Sequence, residues 1–520
     1  MTASSNGKNT SENSDYIKEL EEETIKNETI SFDLKNNVDK IKEIFVYPIN
    51  KDFIVRELHI KCINREAVLF FMHGMVASET IEKHIIEALL SEITLNVYQE
   101  DIVTAIMKKV ITGKNVMKVN DYKDATKEIL KGNSVLFIQG CNRAVSIGTT
   151  GYEHRAVEKP TNENTLKGPK EAFTESYQAN RSLVRKSLRY EKLVTENMNI
   201  GERASKEIYI MYVKDIANDD LVKEVKRRLG NIKVSSVQTL SMIEEYIEDR
   251  TYSIIPTVLS TERPDRVVAF MLEGHVAIFL DGSPNAIIAP ITFWSLFHSP
   301  EDQYQKWLYG NFMRVIRMAS LYIALLAPGI YIAISSYHVD MIPTDLVLAI
   351  AASREQLPFP AIVEVLMMEI AFELLREAGV RIPTPIGPTI GIVGALILGQ
   401  AAVQANVVSP ILVIVVAVTG LGSFALPELS LGFIIRIGRF IFLLAGAIMG
   451  FYGIAACLTM GLAYISTVKS FGVPWLSPLA PHYRSSKDVF MMPPIWKQWL
   501  RPQYMSPKDN VRIRKTDSKK

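Results

Sequence analysis

Residues 387–427 run for 41 positions without a charged side chain. A run of that length demands an apolar surrounding thicker than an ordinary core. Asn406, Ser409 and Pro410 interrupt it, which predicts a hairpin of two helices, 388–406 and 408–424. Residues 318–337, MASLYIALLAPGIYIAISSY, are uncharged over 20 positions, and at ~1.5 Å per residue such a helix crosses about 30 Å of hydrocarbon. Pro328-Gly329 predicts a kink, tolerable where neighbouring helices satisfy the freed carbonyls. Residues 440–468 add another 29 uncharged positions. The second half of the chain therefore predicts an α-helical polytopic membrane domain.

Basic residues set the orientation. Lys306, Arg314 and Arg317 precede the first span, and beyond residue 465 eleven Lys/Arg face three Asp. Both ends should lie on the cytoplasmic side, so the number of crossings should be even. The candidates are five: 318–337, 360–376, 388–406, 408–424 and 440–465. Either one is re-entrant or interfacial, or the long last segment is two pieces.

The segment 360–376, PAIVEVLMMEIAFELLR, is apolar except for Glu364, Glu369, Glu373 and Arg376. On a helical wheel Ile362, Leu366, Glu369, Glu373 and Arg376 share a face, and Glu364 points almost opposite. Carboxylates at membrane depth face a bundle interior or a water-filled path. Two readings stand: an acidic pore lining built from Ile362, Leu366, Glu369 and Glu373, or buried ion pairs with Arg376 or with Arg436 and Arg439. The following Gly387, Gly391, Gly394 and Gly399, the first two forming GxxxG, predict close helix packing.

The first half reads differently. At 520 residues, two or three units are expected. The net charge of +2 argues for neither nucleic acid nor an acidic substrate, and the mean hydropathy of +0.11 averages over a sharp polarity change. Cys62, Cys141 and Cys457 are too scattered for a disulfide framework or a zinc pair. The first 34 residues hold eight acidic side chains and three lysines, with no apolar run behind a basic start. They read as a disordered acidic tail, not a signal peptide.

Residues 35–300 alternate as an α/β region, and the chain repeats itself there. VLFFMHGMVASETIEKHIIEAL (68–89) aligns without gaps on IYIMYVKDIANDDLVKEVKRRL (208–229). Ser78 and Asn218 are the expected helix caps; Ile81, Ile85 and Leu89 form the apolar face in one copy, Leu221, Val225 and Leu229 in the other. VLFIQGCNRAVSI (135–147) and AFMLEGHVAIFLDG (269–282) read as hairpins turned at Gly140 and Gly274. The fold class is thus an α/β soluble region of two similar small subdomains followed by the helical membrane domain. The predicted division is an acidic tail (1–37), first subdomain (38–150), linker with a basic helix (151–190), second subdomain (191–300), transmembrane domain (301–470) and basic cytoplasmic tail (471–520).

Between the copies, Pro160, Gly168 and Pro169 set the path of the linker. A helix is expected from Pro169 on, with Phe173, Tyr177, Val184 and Leu188 on an apolar stripe and Arg181, Arg185, Lys186 and Arg189 making it basic. It is either a solvated basic helix or a docking element for an acidic partner or neighbouring subunit. Nucleic-acid binding is disfavoured, since stacking aromatics do not interleave with the basic residues. The phosphate-loop, dinucleotide, nucleophile-elbow and HExxH motifs are absent, and the eight histidines are scattered; His73 and His275 are expected on the surface. No enzyme chemistry, cofactor or metal site is expected.

RAVEKPTNENTLKGPKEAFTESYQANRSLVRK, STERPDRVVAFMLEGHVAIFLDGSP, SPEDQYQKW and RIPTPIGPTIGIVGALILGQAAVQANVVSP resemble, in the same order over roughly residues 40–500, the signatures of the GerA family. These are A subunits of nutrient germinant receptors of spore-forming bacteria. The resemblance implies a multi-pass protein of the spore inner membrane with a cytoplasmic N-terminal region. It implies partnership with a transporter-like B subunit and a lipoprotein C subunit, and a homo-oligomer, a pentamer, releasing monovalent cations when nutrient binds. The matching linker positions are Arg155, Glu158, Pro160, Glu163, Gly168, Pro169, Phe173, Glu175, Asn180 and Arg185. Of these, Arg155, Glu158, Glu163, Phe173, Glu175, Asn180 and Arg185 are expected to hold subdomains or subunits in register. The match continues at Thr261 to Asp265, Gly274 and Asp281 to Pro284. The chain departs from relatives at His73-Gly74, usually Asp-Gly, and at Ser187, often basic. The alternatives to a channel are a non-conducting scaffold holding the B and C subunits and a secondary transporter, for which inverted repeats are missing.

Overall fold

The computed structural model describes residues 24–91, 101–111, 113, 115–151, 160, 163, 165, 167–381, 397–483 and 488–513. In the first half, short β-rich runs pair into two five-stranded sheets, with the inner strands mostly buried on both faces and the edge strands partly exposed. The first contains β1 (Phe53–Ile60), β2 (Arg65–Met72), β3 (Val116–Val119), β4 (Ser134–Ile138) and β5 (Ala144–Ile147), in the order β1-β2-β4-β5-β3. The second contains β6 (Leu193–Ile200), β7 (Lys206–Val213), β8 (Leu259–Thr261), β9 (Val276–Leu280) and β10 (Ala286–Ala289), in the order β6-β7-β9-β10-β8. Every neighbouring pair is antiparallel. The two orders are the same, so the repeat is one of topology as well as sequence.

Helices cover both faces of each sheet. In the first unit α1 (Leu34–Ile44) and α4 (Tyr122–Leu130) pack with Val68, Phe70 and Phe137. α2 (residues 78–90, with a π-turn at Glu82–Ile86) and α3 (Ile102–Lys109) pack on the opposite face with Leu69 and Leu136. In the second unit α5 (Tyr177–Ser187) takes the place of α1, α6 (Asp219–Gly230) and α7 (Leu240–Ile247) that of α2 and α3, and α8 (Pro264–Met271) that of α4.

Several expectations are corrected. The linker helix starts at Tyr177, not at Pro169, and packs as the first helix of the second unit. Ala77, not Ser78, is the cap residue of α2, whereas Asn218 does cap α6 through its side chain. Val222 is buried beside Val225 and Leu229, with Leu221 at the edge. The hairpin of the second copy turns at Gly282, and Gly274 joins α8 to β9. AFML read as strand because a four-residue apolar run fits helix and strand equally well. His275 is buried at 1% exposure against the Pro290 carbonyl, not on the surface. The acidic segment is folded from residue 24, with Ile30 and Asn37 buried; residues before 24 lie outside the described ones.

After α9 (Phe293–Phe297) and α10 (Glu301–Tyr304) comes a helical bundle: α11 (Trp307–Tyr337), α12 (Thr344–Arg354), α13 (Ala361–Arg381), α14 (397–404), α15 (Pro410–Phe424) and α16 (Leu429–Thr467). α16 is not one rod. Gly450 has φ 59° and ψ −139°, and a Cβ at Gly453 would collide with the Ala445 carbonyl, eight residues earlier. The first part starts at the second unit, where Glu428 meets Arg266. The last part ends there too, where Arg250 reaches Thr467 at 3.1 Å. The segment is therefore a hairpin of two pieces, 429–449 and 451–467.

Contacts order the remaining passes. Glu364 meets Ser409 and Arg376 meets Ser423, so α13 and α15 run parallel and the chain must return between them. The described part of that return is α14. Both ends of the described bundle lie at the soluble units. Its helices approach closely where glycine allows: a Cβ would come 2.8 Å from the Phe442 carbonyl at Gly329 and 2.7 Å from the Gly329 carbonyl at Gly446.

Candidate functional site

Buried ionic clusters lie along the path from the first unit to the bundle, among them one at Asp52, one at Arg266 and one at Arg439. The first is the joint between units. Asp52, at the foot of β1, accepts from Arg185 Nε at 2.7 Å, Arg181 Nη1 at 3.2 Å and Thr195 Oγ1 at 2.7 Å. Arg185 also donates to Asn50 Oδ1 at 3.1 Å and to the Leu193 carbonyl at 3.2 Å. Burial opposes ionisation of Asp52, yet Arg185 and Arg181 hold its carboxyl below the usual carboxylate value. Arg181 and Arg185 are 6% and 1% exposed, so these two guanidiniums are neither solvated nor free for an acidic partner, whereas Lys186 and Arg189 are exposed. His73-Gly74 belongs to the same place: a Cβ on Gly74 would lie 2.6 Å from Arg181 Nε.

Neighbouring signature residues shape α5. Asn180 closes the turn before the helix, accepting from Thr174 N–H at 2.7 Å and donating to the Thr174 carbonyl at 2.6 Å. Phe173 sits edge-on to Phe279 with centroids 5.3 Å apart. The Glu175 side chain is exposed, and its carbonyl accepts from Gly282 N–H at 2.9 Å. Arg155 and Glu158 lie outside the described residues.

The second cluster ties the linker to the bundle. Arg263, with no exposed surface, donates to the Glu163 carbonyl at 3.2 Å, Thr165 Oγ1 at 2.8 Å and the Pro169 carbonyl at 3.1 Å, and pairs with Asp265 at 2.7 Å. Gly168, at φ +112°, lets the ring of Tyr304 come within 2.6 Å of where a Cβ would stand. Tyr304 in turn donates to Asp265. Arg266, one helical step on, bridges Glu163 at 3.3 Å and Glu428 at 2.9 Å, and Glu428 is the residue before α16. One guanidinium thus joins the inter-unit linker, the second unit and the longest bundle segment. A cavity of ≈ 130 Å³ opens beside it, with Asp265, Glu273, Trp294, Arg314 and Asp488 in its wall.

The third cluster lies inside the bundle. Arg439, 1% exposed, meets Glu369 at 2.9 Å and Glu373 at 2.6 Å; Arg436 meets Glu373 at 2.9 Å. Arg376 bonds Ser423 at 3.0 Å and lies over the Phe424 ring. Of the two readings of these carboxylates, ion pairing with Arg436 and Arg439 is what a single chain contains. Ile362 and Leu366 are half-buried, with Leu366 against the core that includes Val365, Leu412 and Val416. Gly399 is buried beside Val413; Gly387, Gly391 and Gly394 lie outside the described residues. Among the described residues no group of three His, Cys, Asp or Glu side chains could hold a metal.

Asp52, Arg266 and Glu428 escaped sequence reasoning because their partners are more than a hundred residues away. The one signal was Arg263-Pro264-Asp265, in which a proline-started helix presents an arginine on its first side.

Against known proteins, residues 39–504 match the family described as Bacillus/Clostridium GerA spore germination protein. Spore germination protein KA of Bacillus subtilis (strain 168) is 38% identical over 480 residues, 92% of this chain and 87% of that protein. Spore germination protein GerLA of Bacillus cereus is 38% identical over 461 residues, 88% and 93% of the two chains. Spore germination protein A1 of Bacillus subtilis (strain 168) is 40% identical over 410 residues, 79% and 84% of the two. A crystal structure of the N-terminal domain of the A subunit of the Bacillus megaterium spore germinant receptor GerK3 aligns with 51% of this chain and 98% of that domain. Its identity is 30% and its TM-score 0.41. With nine-tenths of its length covered by the family match and by relatives above 30% identity, the chain belongs to the GerA spore germination protein family.

Proposed function

We propose that this chain is the A subunit of a nutrient germinant receptor, embedded in the spore inner membrane by the six-pass bundle, with its soluble units on the cytoplasmic side. Two bundle segments are long and apolar enough to cross a membrane, and only 33% of their apolar windows is buried within the chain. A core helix of a soluble protein would be mostly covered, so this exposure supports lipid around the bundle.

In this reading several copies, in the number of a pentamer, assemble with B and C subunits, and nutrient binding shifts the assembly to a state that releases monovalent cations. The observation that carries it is the charged cluster of Glu369, Glu373, Arg436 and Arg439 inside a largely apolar bundle. Charges at such depth are costly and mark ion paths or moving parts. Helix α13, with Ile362, Leu366, Glu369 and Glu373, would stand at or near the path. Nutrient can open it only by binding the open state more tightly than the closed one. Arg266, bridging linker and α16, is the physical link through which the soluble units would bias that equilibrium.

A second reading, a non-conducting scaffold, is favoured by the neutralisation of Glu369 and Glu373 within one chain. Glu369→Gln and Ile362→Ala, made separately at normal receptor level, decide between them. Altered nutrient-triggered cation release supports the channel; unchanged release in both leaves the scaffold. A purified protein that stays monomeric in detergent at high concentration would count against self-assembly.

A further inference from the structure

The described C-terminal residues are not a loose tail: Met492 is fixed on α11. Its N–H donates to Asn311 Oδ1 at 2.7 Å, and its carbonyl accepts from Asn311 Nδ2 at 3.1 Å and from the Trp307 indole N–H. The first three turns of α11 are inside out for a helix in water. Arg314 and Arg317 are buried on Asp302 at 3.0 and 3.1 Å, whereas Leu308 and Phe312 are 73% and 58% exposed. Next to them the C-terminal segment exposes Ile495, Trp496 and Trp499 at 64%, 75% and 44%.

We propose that this surface is a membrane-interface anchor: residues 490–499 and the first turns of α11 lie in the headgroup layer of the bilayer on the side of the soluble units. This rests on the reading of the bundle as membrane-embedded. Helix α11 has 31 residues, a length of roughly 46 Å at ~1.5 Å per residue. Hydrocarbon alone is about 30 Å thick, but hydrocarbon with both headgroup layers is about 40–45 Å. Tyr337 and Trp307, at the two ends of α11, therefore fall at the two interfaces, the level that such amphipathic rings prefer. The exposed apolar surface is continuous with that of the bundle, running through Val315 and Ile316. Charge also fits: Lys306 and Lys497 are exposed, and residues 490–500 contain no Asp or Glu, which suits anionic headgroups. A protein partner would leave the match of helix length to bilayer thickness without a cause.

The test uses full-length protein in vesicles of phosphatidylcholine and phosphatidylglycerol, with lipids brominated near the carbonyl end or near the methyl end of the chain. Trp294 and Trp475 are 6% and 3% exposed and supply a buried background. Shallow bromines should quench tryptophan emission more than deep ones, and Trp496→Phe/Trp499→Phe should remove roughly half of that quenching or more. Accessibility to aqueous iodide without bromine quenching would overturn the anchor. Protection from both quenchers would overturn it too, identifying a protein cover instead. If alkaline carbonate strips the protein from the vesicles, the bundle reading falls with it. If the protein stays integral but its tryptophans ignore bromine, only the anchor falls.

Discussion

The cluster at Asp52 and the cluster at Arg439 are both buried and both built from carboxylates facing guanidinium groups, but they are bonded differently. Around Asp52 both carboxylate oxygens accept aligned hydrogen bonds, and Arg185 has three further acceptors. Around Arg439 the charges are close, yet both oxygens of Glu369 and the Nε and Nη1 of Arg439 lack an aligned partner. A buried charge pair is stabilising only when the remaining donors and acceptors are satisfied. At the joint only Arg181 Nε, of the charged groups, lacks an aligned partner, so the joint acts as a lock, whereas the bundle cluster is held by charge with most of its directional bonds left unmade. Rearrangement is cheaper in the second, which is what the proposed opening would require.

The largest effect should come from breaking the lock. Asp52→Ala leaves two buried arginines without their carboxylate, and about 3–5 kcal/mol of stability should be lost, measured by unfolding of the full-length protein in detergent. The pH response has a defined sign. The carboxyl of Asp52 is lowered in the folded state, so its contribution is present above the unfolded value and lost as pH falls through the folded one. The wild type should thus lose stability on acidification below about pH 4, and Asp52→Ala should lack that component.

In the bundle, Arg439→Gln should cost about 2.5–3.5 kcal/mol, the scale of a bare charge at membrane depth, because Glu369 is left uncompensated. Glu369→Gln should cost much less, since Arg439 keeps Glu373. Equal losses in the two variants would erase the distinction drawn between the clusters. A smaller loss is expected for Gly168→Ala, about 1–3 kcal/mol, from φ +112° and the nearby Tyr304 ring. Tyr304→Ala in the same chain should restore part of it by making room.

The smallest effect concerns Glu244, whose carboxyl burial, with Glu248 and Glu428 nearby, pushes up to about 7. A raised carboxyl stabilises below its unfolded value and loses that contribution as pH rises through the folded one. Glu244→Gln should therefore melt about 2 °C higher than wild type at pH 8, with the gap closing toward pH 5. A constant gap would place the effect in packing, not charge.

Much of this was legible in order but not in detail. The uncharged runs gave the bundle, and the 68–89 and 208–229 repeat gave two related units with Ile85 and Val225 inside. The second hairpin was misplaced because AFML, the end of an amphipathic helix, is as apolar as a strand. Arg181 and Arg185 read as surface residues because periodicity ranks arginine so, and nothing local announces Asp52 some 130 positions earlier.

Composition and periodicity determined by themselves that this chain has a polar duplicated half and an apolar helical half, since burial follows from the side chain's own transfer free energy. The tertiary structure decided which charges are neutralised, where Gly450 reverses the last segment, and that Arg266 joins linker to bundle. Those outcomes depend on groups far apart in sequence meeting at hydrogen-bond distance, and no local pattern encodes that meeting.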